Sequence, residues 1–240
     1  GGTGKDSIYV VNGASTAALI DGGAGNDFLS LGGLSGTSSV LGEAGEDSIT
    51  VGSNATQWLV DGGADNDSLY IPNAGERSTV AGGSGNDSIN VGTVSKGLVQ
   101  AGVGDDTIKI TGAGVTSASV KAGAGNDLMS ITGGITDGSL LGGVGNDTFD
   151  FTGGRVTGLI DTGSGVDSVL LGAAGDTVTL TGVLTSTTLD AGSGADSIVV
   201  KANMVSGYFD LSAGTAGSAD DTLNFLPSSA SIVSTTIKGG

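Results

Sequence analysis

The side chains best placed to do chemistry are aspartates that close a recurring glycine-rich motif. At residues 22–27 the motif reads Gly-Gly-Ala-Gly-Asn-Asp, which has the general form G-G-x-G-x-D. Glycine adopts positive φ readily, so the motif predicts a tight turn that draws its carbonyl oxygens together. Calcium is bound in proteins by carboxylate and carbonyl oxygens. The residue types therefore indicate a site for a hard cation.

The motif repeats at a nearly constant interval, which indicates a solenoid. Successive motif aspartates are 19 to 21 residues apart, except for two longer steps of 29 and 25 residues. A fixed period near 20 is typical of stacked repeats that bury their apolar faces on one another. The aspartates at the sixth motif position are Asp6, Asp27, Asp47, Asp67, Asp87, Asp106, Asp127, Asp147, Asp167, Asp196 and Asp221.

Apolar residues recur at fixed places around each motif and predict two short strands per turn. They occupy the second and fourth places after the aspartate, as in Leu29 and Leu31, and such alternation is typical of strands. We expect an all-β chain, a single right-handed parallel β-helix or β-roll over residues 1–240 with about 20 residues per turn. Trp58 interrupts a row of small residues, and we assign it to local packing or to an outward swing. A further apolar row precedes the motifs: Ile20, Val40, Val60, Val80, Val99, Val120, Leu140, Ile160 and Leu189.

The repeat slips in two places. Nine extra residues lie near 172–185, where the sequence imitates a motif but lacks the residue between the last glycine and the aspartate. They are compatible with an inserted half-turn or with a bulging loop. About five extra residues lie near 210–216. We expect cation binding to be weakest across both slips.

Composition excludes several function classes. Glycine makes up 48 of 240 residues, and the formal charge is −17 without any basic stripe, which disfavours nucleic-acid binding. No apolar run approaches the roughly 20 residues that span a membrane. The chain has no His and no Cys, so it lacks an imidazole base and a thiol nucleophile, and we do not expect an enzyme. The acidic pair Asp105 and Asp106 falls inside a motif and is assigned to cation binding.

The motif and its apolar tail resemble the nonapeptide G-G-x-G-x-D-x-U-x of the repeats-in-toxin (RTX) family, with U apolar. The resemblance covers nearly the whole chain. It implies calcium ions between successive turns, roughly one per turn, held by the eleven aspartates and by motif carbonyls. Only one half of each turn carries the motif, so we expect the calcium loops along one edge. The carbonyl ligands implied are those of Gly2, Gly4, Gly23, Gly25, Gly45, Gly63, Gly83, Gly85, Gly102, Gly104, Gly123, Gly125, Gly143, Gly145, Gly163, Gly165, Gly192 and Gly194.

Stacking would place the aspartates in a column, and this predicts a dependence on cations. Two carboxylates about 4.8 Å apart repel by roughly 3.5 kcal/mol at an effective dielectric constant of about 20. Divalent ions between the turns would reverse the sign, so we expect a chain that is largely unfolded without calcium. The alternative is that the motif is turn chemistry alone, with each aspartate hydrogen-bonded to the backbone.

The resemblance also implies a place and a role. It implies export through a type I system to the outside of the cell or to the bacterial cell surface. The favoured function is a calcium-dependent structural segment that self-associates as a surface (S-) layer or fibril, cut from a longer array. The alternatives are an adhesin stalk, a carbohydrate-binding module, or an auxiliary folding domain of a secreted enzyme or toxin. Ice binding is disfavoured because Thr3 is the only threonine at the third motif position.

Overall fold

The described part of the chain consists of strands and turns. The computed structural model describes residues 1–11, 17–34, 36–52, 56–151, 153–201, 203–211, 220–226 and 232–239. Within these ranges no helix is long and apolar enough to cross a membrane. The strands are β1 (Ser7–Val10), β2 (Leu19–Ala24), β3 (Phe28–Leu31), β4 (Ser39–Ala44), β5 (Ser48–Val51), β6 (Leu59–Ala64), β7 (Ser68–Ala74), β8 (Thr79–Ser84), β9 (Ser88–Ser95), β10 (Leu98–Val103), β11 (Thr107–Thr116), β12 (Ser119–Ala124), β13 (Leu128–Ile131), β14 (Gly134–Val144), β15 (Thr148–Asp150), β16 (Val156–Ser164), β17 (Ser168–Leu170), β18 (Thr177–Thr181), β19 (Val183–Thr185), β20 (Thr188–Asp190), β21 (Ser197–Val200), β22 (Asn203–Val205), β23 (Tyr208–Asp210), β24 (Thr222–Phe225), β25 (Ile232–Val233) and β26 (Thr236–Lys238).

Two columns of parallel strands form the faces of a β-solenoid, which confirms the predicted fold class. The first column consists of the odd-numbered strands from β1 to β17, followed by β20, β23 and β26. The second consists of the even-numbered strands from β2 to β18, followed by β21 and β24. Each strand pairs with its equivalent one turn away, so that Leu29 lies opposite Ile49 and Val40 lies opposite Val60. The apolar rows fill the space between the columns, where these side chains are fully buried.

A third, short column lies along the edge opposite the motifs, where the sequence predicted only a polar loop. It is built from the ends of β7, β9 and β11 and the beginnings of β14 and β16. Trp58 is 2% exposed and belongs to the core, so the outward swing is excluded and local packing is confirmed. The column adds a buried apolar row that the sequence reasoning missed: Ala74, Val94, Val115, Ile135 and Val156.

The nine extra residues form an inserted half-turn. Strand β17 pairs with β20 in the first column, whereas β18, which follows β17 along the chain, pairs with β16 in the second. The bulging loop is therefore excluded. Leu189 consequently lies opposite Val169 in the first column, and its assignment to the row of Ile160 was wrong. The slip near 210–216 falls largely on residues 212–219, which lie outside the described residues.

The half-turn exchanges the two edges of the solenoid. Up to Asp167, the motifs connect the second column to the first; from Asp176 onward, they connect the first column to the second. The short third column changes to the edge that the first motifs occupied and continues there as β19, β22 and β25. The prediction of one motif column along one edge therefore holds from Asp6 to Asp167 and is wrong for Asp196 and Asp221.

Candidate metal-binding ladders

The motif aspartates from Asp6 to Asp167 form a hydrogen-bonded ladder, which we call the first Asp ladder. In each rung, the backbone N–H of one aspartate donates to Oδ1 of the aspartate one turn later. The distance is 2.7 Å from Asp27 to Asp47, 2.8 Å from Asp67 to Asp87 and 3.0 Å from Asp147 to Asp167. Turn chemistry alone thus explains one carboxylate oxygen of each rung, as the alternative interpretation of the motif expected.

From Asp27 onward, the other carboxylate oxygen, Oδ2, has no hydrogen-bond partner and is buried. In the turns whose first motif position is glycine, Oδ2 lies beside that glycine, where there is no side chain. A Cβ built on Gly22 would lie 2.7 Å from Asp27 Oδ2 and 3.0 Å from the carbonyl oxygen of Gly42. Strand pairing also skips this glycine, passing from Asp21–Leu41 to Gly23–Glu43. The unpartnered Oδ2 atoms are those of Asp27, Asp47, Asp67, Asp87, Asp106, Asp127, Asp147, Asp167 and Asp176.

Burial is the main reason why these carboxyl groups resist ionisation. Burial raises the pKa of Asp67 and Asp106 from 3.8 to about 7, and that of Asp87 and Asp147 to about 6. The hydrogen bond from the preceding turn lowers each pKa and offsets part of the effect of burial. Nearby aspartates raise the pKa further, by less than burial does. From the sequence we expected repulsion between carboxylates to be the main cost of ionising the ladder. In the structure, the loss of hydration on burial is the larger cause.

A second ladder of side chains runs along the outside of the same edge. It uses the fifth motif position and points the opposite way, because each backbone N–H donates to a side chain one turn earlier. Asn86 N–H donates to Asn66 Oδ1 over 2.6 Å, Asp105 N–H to Asn86 Oδ1 over 2.9 Å, and Asn146 N–H to Asn126 Oδ1 over 3.0 Å. The sequence reasoning missed this ladder, although the recurrence of Asn before Asp was its signal.

The glycines at the second and fourth motif positions are required by backbone geometry. Gly83 and Gly85 have φ of 123° and 119°, in the region that side chains disfavour. Glu43 and Asp65 replace such glycines and keep φ of 80° and 78°, a conformation that is costly for residues with a side chain. These turns stack so closely that a Cβ on Gly145 would overlap the carbonyl oxygen of the corresponding glycine one turn earlier.

The half-turn starts a second Asp ladder on the opposite edge, made of Asp176, Asp196 and Asp221. Val156 N–H donates to Asp176 Oδ1 over 2.7 Å, Asp176 N–H to Asp196 Oδ1 over 2.8 Å, and Asp196 N–H to Asp221 Oδ1 over 2.9 Å. Burial raises the pKa of Asp176 to about 6, and the Arg155 guanidinium lowers it slightly. Asp176 was not among the predicted site residues, because Leu171 and Ala174 occupy the first and fourth motif positions and hide the motif.

The donor set fits a hard cation. The first-position cradle brings a carboxylate Oδ2 and a backbone carbonyl to one side of a glycine, and oxygens of both kinds are calcium ligands. Among the described residues, no three acidic, His or Cys side chains converge on one point. Any ion would therefore need carbonyl oxygens as well as carboxylates. Both ion pairs of the described part, Lys96–Glu76 and Lys238–Asp210, lie outside the ladders.

The structure places the predicted aspartates in two groups of nine and two, and brings Asp176 to the smaller group. The predicted carbonyl ligands at the second and fourth motif positions lie in the same turns and stay predictions. No family model matches the chain, and no curated protein or solved structure matches it either. Function must therefore be argued from the geometry of the ladders.

Proposed function

We propose that this chain is a calcium-dependent structural segment of a secreted or cell-surface bacterial protein, of the RTX kind, that self-associates as a surface layer or fibril. One observation carries the proposal: a row of buried carboxylate oxygens without hydrogen-bond partners, one per turn, along most of the solenoid. Each is an acceptor removed from water, and such a group costs roughly 1–3 kcal/mol when it is left unpaired.

A proton or a cation can relieve that cost, and the surroundings favour a cation near neutral pH. With pKa values of about 6 to 7, the most perturbed carboxyl groups, such as Asp87 and Asp67, are largely ionised in slightly alkaline medium. Divalent ions held by successive turns would neutralise the row and link the turns. The proposed binding couples calcium to folding, so the chain would stay unfolded at the submicromolar calcium of a cytoplasm and fold at the millimolar calcium outside the cell.

The regular surface supports a structural role. Parallel strands stacked about 4.8 Å apart give a stiff rod with a repetitive exterior, which suits assembly into a lattice or fibre. The motif resemblance supports export through a type I system. An adhesin stalk and an auxiliary domain of a secreted enzyme would use the same fold, and the state of association separates them from a lattice.

The test is a calcium titration of the chelator-treated chain, followed by circular dichroism, by the fluorescence of Trp58 and by sedimentation. Trp58 is the single tryptophan and is buried, so its emission reports folding directly. We expect β structure to appear with calcium, to disappear with excess chelator, and larger particles to form at saturation. Magnesium at equal concentration serves as the control, because it demands octahedral geometry and keeps its waters. Full β structure in chelator would contradict the proposal.

Carbohydrate binding is the second candidate, and the position of the tyrosines favours it. Tyr9, Tyr70 and Tyr208 are the three tyrosines of the chain, and all lie on the outward face of the first column with exposures of 67%, 51% and 39%. Exposed aromatic rings offer flat apolar surface with a polar tip. Retardation on a neutral polysaccharide gel that is lost when Tyr70 and Tyr208 are changed to Ala would support it, and unchanged mobility of the unmodified chain would exclude it.

A further inference from the structure

The outward side of the second column is rich in leucine. We call it the leucine face, and it consists of the outward side chains of the even-numbered strands from β2 to β16. These side chains form two rows, because alternate residues of a strand point outward: in β6, Leu59 and Asp61 flank the buried Val60. The leucines of the two rows are half-buried or exposed: Leu19, Leu41, Leu59, Leu98, Leu141 and Leu159.

The first column presents a different outward side. Its row next to the motif aspartates carries mostly hydroxyl groups, for example those of Ser68, Ser88 and Thr107. The leucine face, by contrast, is extended at the ends of β10 and β14 by Val103 and Val144, which are 60% and 63% exposed. An apolar surface of this extent, confined to one side of the molecule, is typical of a contact with another protein.

The charges at the centre of the leucine face have opposite signs. Strand register places Ala81, Gln100 and Lys121 on the three turns that follow Asp61 in the same row. Asp61 and Lys121 are therefore about 14 Å apart at the usual strand spacing and cannot pair within one chain. Neither of them takes part in an ion pair within the described part of the chain. Burial and, to a smaller extent, the Glu43 carboxylate raise the pKa of Asp61.

This row is self-complementary about a two-fold axis that runs along the strands, between β8 and β10. Such an axis reverses the order of the turns and sets each row against the same row of the other copy. It brings Asp61 of each copy to Lys121 of the other, so that the pair forms at two symmetric places. The same axis sets Leu41 against Leu141.

The ends of the leucine face agree with the same axis. In the other row, the axis sets Leu19 against Leu159, so apolar side chains meet at both ends. Within the two rows, Asp21 and Asp161 are the like charges that it brings together. They lie at the rim, where solvent and salt screen them, and Asp161 Oδ1 also accepts a hydrogen bond from Gly163 N–H over 3.2 Å.

We propose that the leucine face binds a second copy of this chain, face to face and with the two solenoids antiparallel. Eight strands span about 34 Å along the solenoid, and six residues span about 20 Å along a strand. Roughly 1,300 Å² in total would be buried, which lies within the range of specific interfaces. The inference rests on the proposed function for the self-association to which it assigns a surface. A two-fold contact closes as a dimer, so a lattice would be built from such dimers through other surfaces.

The test measures the dimer Kd of the calcium-saturated whole chain by sedimentation equilibrium. Lys121→Glu and Asp61→Lys each put like charges at both symmetric contacts, so each should raise Kd at least about tenfold. An equal mixture of the two variants restores opposite charges at both contacts and should associate like the unmodified chain. Lys109→Glu is the matched control, because Lys109 is an exposed lysine on the outward side of the first column, and it should leave Kd unchanged.

Circular dichroism at saturating calcium shows whether each variant is folded. A charge variant that fails to fold is replaced by Leu141→Gln, which should also raise Kd because it removes the apolar contact with Leu41. A folded unmodified chain that stays monomeric, an unchanged Kd in Lys121→Glu, or no recovery on mixing overturns the inference. Each of these outcomes leaves calcium-dependent folding intact. A chain that gains no β structure with calcium overturns the proposed function, so the two failures are distinguishable.

Discussion

The backbone N–H of Asp67 donates to Oδ1 of Asp87 over 2.8 Å, while Oδ2 of Asp87 is buried without a partner. One oxygen of the carboxylate therefore joins neighbouring turns, and the other is an unpaired acceptor in the interior. The first role needs no ion, whereas the second needs either a proton or a cation. Experiments that vary pH and calcium separately distinguish the two roles.

Without divalent ions, the chain should be more stable in acid than in alkali. The ladder carboxyl groups have an ordinary pKa of 3.8 when unfolded and values raised to about 6 for Asp147 and about 7 for Asp106 when folded. Groups raised in this way stabilise the fold fully below pH 4, and the contribution is lost as the pH rises through 6 to 7. In metal-depleted buffer, Trp58 fluorescence and circular dichroism should show a larger folded fraction at pH 5 than at pH 8.

Calcium should reverse this dependence of stability on pH, because protons and calcium compete for the same carboxylate oxygens. The calcium concentration at the folding midpoint should rise as the pH falls from 8 to 5. A metal-free chain that is equally stable at both pH values would show that the ladder carboxyl groups titrate normally and that the buried Oδ2 atoms are hydrated.

Replacing one ladder carboxylate with its amide should separate stability from ion binding. Asp67→Asn keeps the Oδ1 acceptor for Asp47 N–H, and its amide nitrogen would face the carbonyl oxygen of Gly82 across the first-position cradle. We expect the metal-free chain to gain about 1–2 kcal/mol at pH 8, because a buried charge becomes a hydrogen-bonded amide. The calcium-saturated chain should lose stability and bind fewer ions.

The matched control is Asp65→Asn, two residues away and exposed, where φ of 78° suits asparagine. This variant should change the stability by no more than about 0.5 kcal/mol, with or without calcium, and should bind as many ions as the unmodified chain. Equal effects at the two positions would mean that net charge, rather than the buried ladder, controls stability.

The regular part of this fold could be predicted from the sequence because two signals with the same period coincide. Leu29 and Val40 recur with the motif, so their burial, the parallel stacking and the alignment of the aspartates all follow from one repeat length. The direction of the Asp side chain could not be predicted. Whether Oδ2 points at water or at a first-position glycine depends on how tightly the turns stack.

The exchange of edges escaped prediction for a local reason. Leu171 directly follows β17, is buried, and also stands in the first motif position of the next turn, so one residue serves two repeats. Ala174 replaces the third glycine of the motif that ends at Asp176. The sequence therefore resembled a defective motif rather than a new motif on the other edge. The third column was missed because its apolar row, as in Val94 and Val115, lies among glycine and threonine residues typical of a loop.

Crowding between turns should make one glycine far more sensitive than another with similar φ. Gly145 and Gly4 both occupy the fourth motif position, with φ of 137° and 112°. A Cβ on Gly145 would overlap Gly125 O, whereas a Cβ on Gly4 would meet nothing within 4 Å. Gly145→Ala should lower the unfolding free energy by more than about 3 kcal/mol, and Gly4→Ala by about 1 kcal/mol from backbone strain alone. Similar losses in chemical denaturation would show that the turns separate easily.

The hydrogen bond from Val156 N–H to Asp176 Oδ1 should hold the inserted half-turn in place. Val156 is fully buried at the end of the third column, and its N–H faces the carboxylate that begins the second Asp ladder. Asp176→Ala leaves that N–H without a partner and should cost about 1–3 kcal/mol. Asp176→Asn keeps the acceptor and should retain most of the stability in metal-free buffer at pH 5, where the fold needs no cation. Hydrogen exchange gives a local reading: the Val156 amide should exchange faster in Asp176→Ala, while the Asp27 amide, bonded to Asp47 in the first ladder, should keep its rate. Equal protection of the Val156 amide in both variants would mean that the half-turn is held by its apolar contacts alone.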